Sequence, residues 1–180
     1  MNQTSQLDLL GYQYQIQVSK NRNYVLASPK GDEVKVVSVN DGSAASSWFI
    51  LPISGTQGQF NIFLNDGNFS YNRTSHTVDK GTFLNYQGRT VNLKTYPESD
   101  LYVWNMDDPS SGDAINWGAP KGKTATVCIL TAPDNHLLFP IAYSSNQNAA
   151  NPSGALYVDG SDDYLTSQDF TQWYMSSSPV

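Results

Sequence analysis

The stretch Tyr12-Gln-Tyr-Gln-Ile-Gln-Val18 decides the fold class of this 180-residue chain. Tyr12, Tyr14, Ile16 and Val18 alternate with three glutamines. Side chains along an extended strand point alternately to its two faces, so this pattern predicts a strand with one buried face. Phe60, Ile62 and Leu64 repeat it, with Asn61 and Asn65 on the other side. Leu137, Phe139, Ile141 and Tyr143 do so again, interrupted by Pro140. Proline lacks the N–H that a ladder needs, which places it at an edge or a bulge.

Further short runs read as strands: Tyr24–Ala27, Val34–Val39, Trp48–Leu51, Val91–Thr95, Leu101–Trp104, Ala155–Val158 and Gln172–Met175. Turn formers separate them, as in Pro29-Lys-Gly-Asp32, Asn40-Asp-Gly42, Asn65-Asp-Gly67, Gln87-Gly88 and Asp159-Gly160. No window holds a helical stripe. Many short strands joined by close turns make an all-β sandwich or barrel.

Three segments share one order of features. Each begins with an alternating or apolar strand, continues through short strands and a polar turn, and closes on a tryptophan strand at Trp48, Trp104 or Trp173. The units span approximately 12–58, 59–108 and 124–180, with a turn-rich linker at 109–123, in one domain covering 1–180. The tryptophans read as large aromatics that fill the base of a common interior.

Three four-stranded units, each closing on tryptophan, resemble the β-trefoil, with a β-sandwich as the alternative. Thr171-Gln-Trp173 resembles a degenerate form of the Gln-x-Trp signature of ricin-B-like lectins, whereas the units ending at Trp48 and Trp104 lack the glutamine. That resemblance implies six barrel strands, three capping hairpins and non-covalent recognition of glycans in shallow loop pockets. A weaker resemblance links the chain to fungal and Kunitz-type trefoil protease inhibitors. It implies exposed inhibitory loops, for which Tyr96–Ser99 and Ala119–Gly122 are candidates. A protein-binding or targeting module is the remaining alternative.

Composition narrows the partners. Charged residues make up 14% of the chain and the net charge is −6. No run of Lys or Arg exists to neutralise phosphates, which argues against nucleic acid. No apolar run approaches membrane length, and the N-terminus shows no signal-peptide pattern, so the expected location is cytoplasmic or secreted by a non-classical route. A surface rich in Asn, Ser, Thr, Gln and Tyr suits neutral partners such as glycans or glycoproteins, and equally suits a solvated β surface with many turns. A homo-oligomer would add avidity to weak single sites.

Catalytic signals are absent, and the expectation is a chain that is not an enzyme, with no cofactor and no metal. Cys128 lies in an apolar strand and reads as a buried, inert thiol. His76 and His136 lack partners at metal-ligand spacing and read as isolated surface residues. Asp107-Asp108 and Asp162-Asp163 read as solvated turn pairs, since sequence neighbours in extended chain point apart. Asp159–Asp163 clusters oxygen ligands without the EF-hand spacing.

Candidate ligand-binding residues fall in three groups. In the linker, Asp113, Asn116 and Trp117 combine an indole with polar groups; Trp117 reads either as a sugar-stacking ring or as a lid on the barrel end. By the lectin resemblance, the third unit offers Asp134, Asn135, Tyr143, Asn146, Tyr157 and Asp159, and the second offers Asp66, Asn68, Asn85 and Tyr86. The first unit carries Lys20-Asn-Arg-Asn23 where that family would place an acidic residue.

Overall fold

A computed structural model describes residues 10–87, 90–111, 113–114, 125–131, 137–140, 153–154, 156–159 and 172–180. These residues hold thirteen strands and no helix: β1 (Tyr12–Val18), β2 (Tyr24–Ala27), β3 (Lys35–Ser38), β4 (Trp48–Pro52), β5 (Gln59–Leu64), β6 (Ser70–Asn72), β7 (Thr77–Gln87), β8 (Thr90–Tyr96), β9 (Trp104–Asp107), β10 (Ala125–Thr131), β11 (Leu137–Pro140), β12 (Leu156–Asp159) and β13 (Gln172–Pro179). The fold is all-β, and every strand pairing is antiparallel.

The sheet is curled. Its pairings run from β1 to β4, β5, β9, β10 and β13, and β13 pairs again with β1. The last step is an unbroken ladder from Tyr12↔Pro179 to Val18↔Trp173. Three hairpins stand off this curl: β2–β3, β7–β8 and β11–β12. They meet one another. Glu33 bridges to Asn92, Val36 to Gly154, and β12 runs beside β8.

Alternation is obeyed in β1 but not in β11, where Leu138, of the opposite parity to Leu137 and Phe139, lies in the main apolar cluster. Tyr14, Ile16 and Val18 are buried while Gln13, Gln15 and Gln17 are less so. They join Phe60, Ile62 and Leu64 in the main apolar cluster inside the curl. Trp48, Trp104 and Trp173 lie in the same cluster, each 0% exposed. Burying an indole requires a partner for its N–H. Each is supplied from the first strand of the adjoining hairpin: Trp48 donates to the Leu26 carbonyl at 3.0 Å, Trp104 to Leu84 at 3.0 Å and Trp173 to Leu138 at 2.9 Å. The same bond therefore ties each hairpin to the curled sheet.

Two features differ from the expectation. The run Leu101–Trp104 enters the ladder only at Trp104, because the Tyr102 carbonyl is taken by the side-chain amide of Asn61 at 3.0 Å. The second feature is another apolar cluster on the outer face of the sheet. There Phe49, Leu51, Phe63 and Phe83 are covered by Phe69, Tyr71 and Val78 of the β6–β7 hairpin and by Tyr96 and Leu101. So β4 is buried on both faces. Phe69 closes this layer with its ring 4.7 Å from Phe49 and 5.1 Å from Phe63. Pro140 is the last residue of β11, a strand end that asks for no further N–H from it. Ile141 and Tyr143 of that predicted alternation lie outside the described residues.

Candidate functional site

A hollow lies where the β2–β3 and β7–β8 hairpins meet. The loop from Ser28 to Val34 leads into β3 and approaches β8: the Leu93 N–H donates to the Asp32 carbonyl at 2.9 Å, and Glu33 bridges to Asn92. Gly31 makes the turn possible with φ +52°, a conformation that costs glycine little. The space between loop and hairpin is about 630 Å³. Lys30, Gly31, Asp32 and Glu33 form one wall, and Val34, Val91 and Asn92 complete it.

Its electrostatics are mixed. The Lys35 ammonium sits 2.7 Å from Glu33. That hydrogen bond holds the Glu33 carboxyl below the usual carboxylate range, and Lys30 adds to the effect. Glu33 is therefore already partnered, while Asp32 and Asn92 offer acceptor and donor groups beside the apolar surface of Val34 and Val91. A rim of this kind can take a hydroxylated, uncharged ligand: planar polar groups meet the hydroxyls and valine meets the C–H surface.

Asn85 and Tyr86, two of the candidates read from the sequence, lie beside this hollow. Asn85 is buried, 5% exposed, and its amide donates to the Asn92 side chain at 3.0 Å. It orients a lining residue and does not itself line the space. Tyr86 pairs across the hairpin with Val91, and its ring meets Tyr102 edge-on with centroids 6.1 Å apart. Asp66 is elsewhere. It caps its own turn by accepting the Asn68 N–H at 2.9 Å, on the far side of the Phe63↔Phe83 pair from Asn85. The second-unit residues therefore do not form one pocket. Lys30 and Asp32 carried a turn signal in Pro29-Lys-Gly-Asp32, and nothing local announced the meeting of this loop with Asn92.

Asp113 is exposed and its carbonyl accepts the Asp108 N–H at 2.8 Å. Asn116, Trp117, Asp134, Asn135, Tyr143 and Asn146 lie outside the described residues, as do His136 and Asp162-Asp163. Tyr157 and Asp159 are placed by backbone register only, opposite Phe139 and Leu137. Among the described residues, no group of three or more His, Cys, Asp or Glu could hold a metal ion.

The pair Asp107-Asp108 divides in two. Asp108 is held below the usual range by hydrogen bonds from the Ser110 hydroxyl and N–H. Asp107, at the end of β9, is pushed up by burial. A carboxyl raised in the folded state favours folding most at pH below its unfolded value, roughly 3.9. That contribution is lost as pH rises through the folded value. Asp107→Asn, uncharged throughout, therefore melts at a higher temperature than the parent at neutral pH, and the gap closes in acid. Thermal unfolding at neutral pH and near pH 3 checks this; an equal gap at both would show that desolvation of Asp107 is not the cause.

No protein-family model matches the chain, and no curated protein matches it. Among solved structures, it is similar to a mosquitocidal holotoxin, with a TM-score of 0.55 and 18% sequence identity. The match covers 91% of this chain and 17% of the holotoxin chain. At that identity the likeness is one of fold, and it accords with an all-β architecture.

Proposed function

We propose that this chain is a single β-trefoil domain that binds neutral glycans non-covalently and catalyses no reaction. Support for the trefoil comes from the ring of six strand pairings, the three hairpins and the three matching indole–carbonyl bonds. Those bonds fall once in each of the units read from the sequence. The function rests on one observation: a wide hollow between two capping hairpins, lined by Asp32, Asn92 and two valines. Such shallow sites bind single sugars weakly, and several of them or an oligomer would supply avidity. The likeness to part of a toxin fits a domain that attaches to a surface.

A glycan array followed by titration calorimetry tests the proposal. A defined set of glycans should be retained, with millimolar affinity for the free sugar. Asp32→Asn, which keeps the shape and removes an exposed charge, should weaken binding by roughly tenfold, the worth of one charge-assisted hydrogen bond. Silence on the array together with no heat at millimolar sugar would refute glycan binding. Inhibition of papain or trypsin under the same conditions would instead favour the inhibitor reading.

A further inference from the structure

A second space in the molecule has a different character. It lies on the outer face of the sheet, between the tip of the β6–β7 hairpin and the β4–β5 turn, and its volume is about 220 Å³. Leu51, Val78 and Leu101 give it aliphatic walls, and Tyr71 and Tyr96 give it aromatic ones. Ser54, Asn61, His76 and Thr77 supply the polar groups. Among the described residues, no Lys, Arg, Asp or Glu lines it.

His76 is the unusual member. Its φ is +59°, a left-handed conformation uncommon outside glycine. The turn before it holds this geometry through Asn72, whose side-chain oxygen accepts the N–H groups of Thr74 at 2.9 Å and Ser75 at 3.0 Å. The Nδ1 atom of His76 is shut off from solvent with no hydrogen-bond partner among the described residues. Nearby, the Asn61 side-chain amide gives one of its two N–H groups to the Tyr102 carbonyl, and its oxygen remains an acceptor.

We propose that this recess binds a small uncharged ring with an apolar face and at most a few hydroxyls, such as a deoxyhexose or a phenol. The volume admits one six-membered ring and is below the roughly 300–1,000 Å³ of sites for larger ligands. A charged ligand would lose hydration and find no counter-charge. An apolar face stacks on the tyrosine rings. A hydroxyl donates and accepts, so it satisfies His76 in either tautomer once the ring turns toward it, and it can donate to Asn61. This site is separate from the hairpin hollow and does not depend on it.

Amide-resolved NMR titration of the full chain with a methyl deoxyhexoside, methyl glucoside and phenol tests the assignment. Saturable shifts at Asn61, Thr77 and Val78 are expected with the deoxyhexoside or with phenol, which separates the two sources. The glucoside, hydroxylated on every edge, should bind more weakly. His76→Gly relieves the left-handed strain, so the fold is kept, and it should weaken binding by roughly tenfold. Ser54→Phe, at an exposed position, should fill the recess and abolish binding. Absence of saturable shifts there at millimolar ligand, or unchanged affinity in either variant, overturns the proposal. Shifts confined to Asp32, Val34 and Asn92 would overturn it too, and would leave glycan binding at the hairpin hollow standing.

Discussion

Trp104→Ala should destabilise the folded chain by about 3–5 kcal/mol, the cost of emptying a fully buried indole site. Trp104 is 0% exposed and lies 5.2 Å, ring to ring, from Tyr102. Its neighbours belong to a curled sheet whose strands are locked on both sides, so collapse into the void is limited. Trp104→Phe separates two parts of that cost. Phenylalanine keeps most of the apolar contact but removes the N–H that the Leu84 carbonyl accepts at 3.0 Å. That bond alone is worth about 1 kcal/mol, with a further loss from the smaller ring. Urea unfolding followed by circular dichroism gives both values. Because Trp48 and Trp173 make the corresponding bonds to Leu26 and Leu138, their Phe variants should lose similar amounts. A large cost at one tryptophan and none at the others would show that the three hairpins are not held alike, and would weaken the trefoil proposal.

How much of this was legible in the sequence depends on whether the information was local. The strand Tyr12–Val18 declared its buried face because period-two alternation is a property of one segment. Trp48-Phe-Ile-Leu51 is apolar without alternation, which is the mark of a strand covered on both sides. What covers the second face could not be read there. The Phe69, Tyr71 and Val78 hairpin and the Tyr96 and Leu101 segment come from distant parts of the chain. Asn61 shows the same limit. It read as a solvent-side residue of β5, yet it holds the Tyr102 carbonyl and lines the outer recess.

The candidate site followed the same rule. Asn85 and Tyr86 were found from residue type, and they stand one layer behind Asn92 and Val91. Lys30–Glu33 looked like any glycine turn, because its meeting with β8 is fixed by hairpin packing and not by its own chemistry. His76 read as an isolated surface residue. It follows a turn held by Asn72, has a positive φ and lines the outer recess.

Gly58→Ala is the second large effect, and its cause can be divided experimentally. Gly58 sits in the turn between β4 and β5 with φ +74°, where an L side chain costs roughly 1–2 kcal/mol. A Cβ there would also lie 2.5 Å from the Ala114 Cβ and 3.3 Å from the Met106 carbonyl oxygen. Neither side can yield freely. The Gly58 carbonyl accepts the Met106 N–H at 2.9 Å, and Ala114 is bridged to Asp107. Overpacking of this kind costs about 1–3 kcal/mol, so the substitution should lose about 2–5 kcal/mol in all. Adding Ala114→Gly removes the nearest atom and leaves the backbone term, so the double variant should recover about half the loss beyond what Ala114→Gly costs alone. Denaturant midpoints of the four proteins in that cycle supply the coupling. If the two changes simply add, the close approach of Gly58 to Ala114 contributes nothing, and the whole penalty belongs to the left-handed turn that joins β4 to β5.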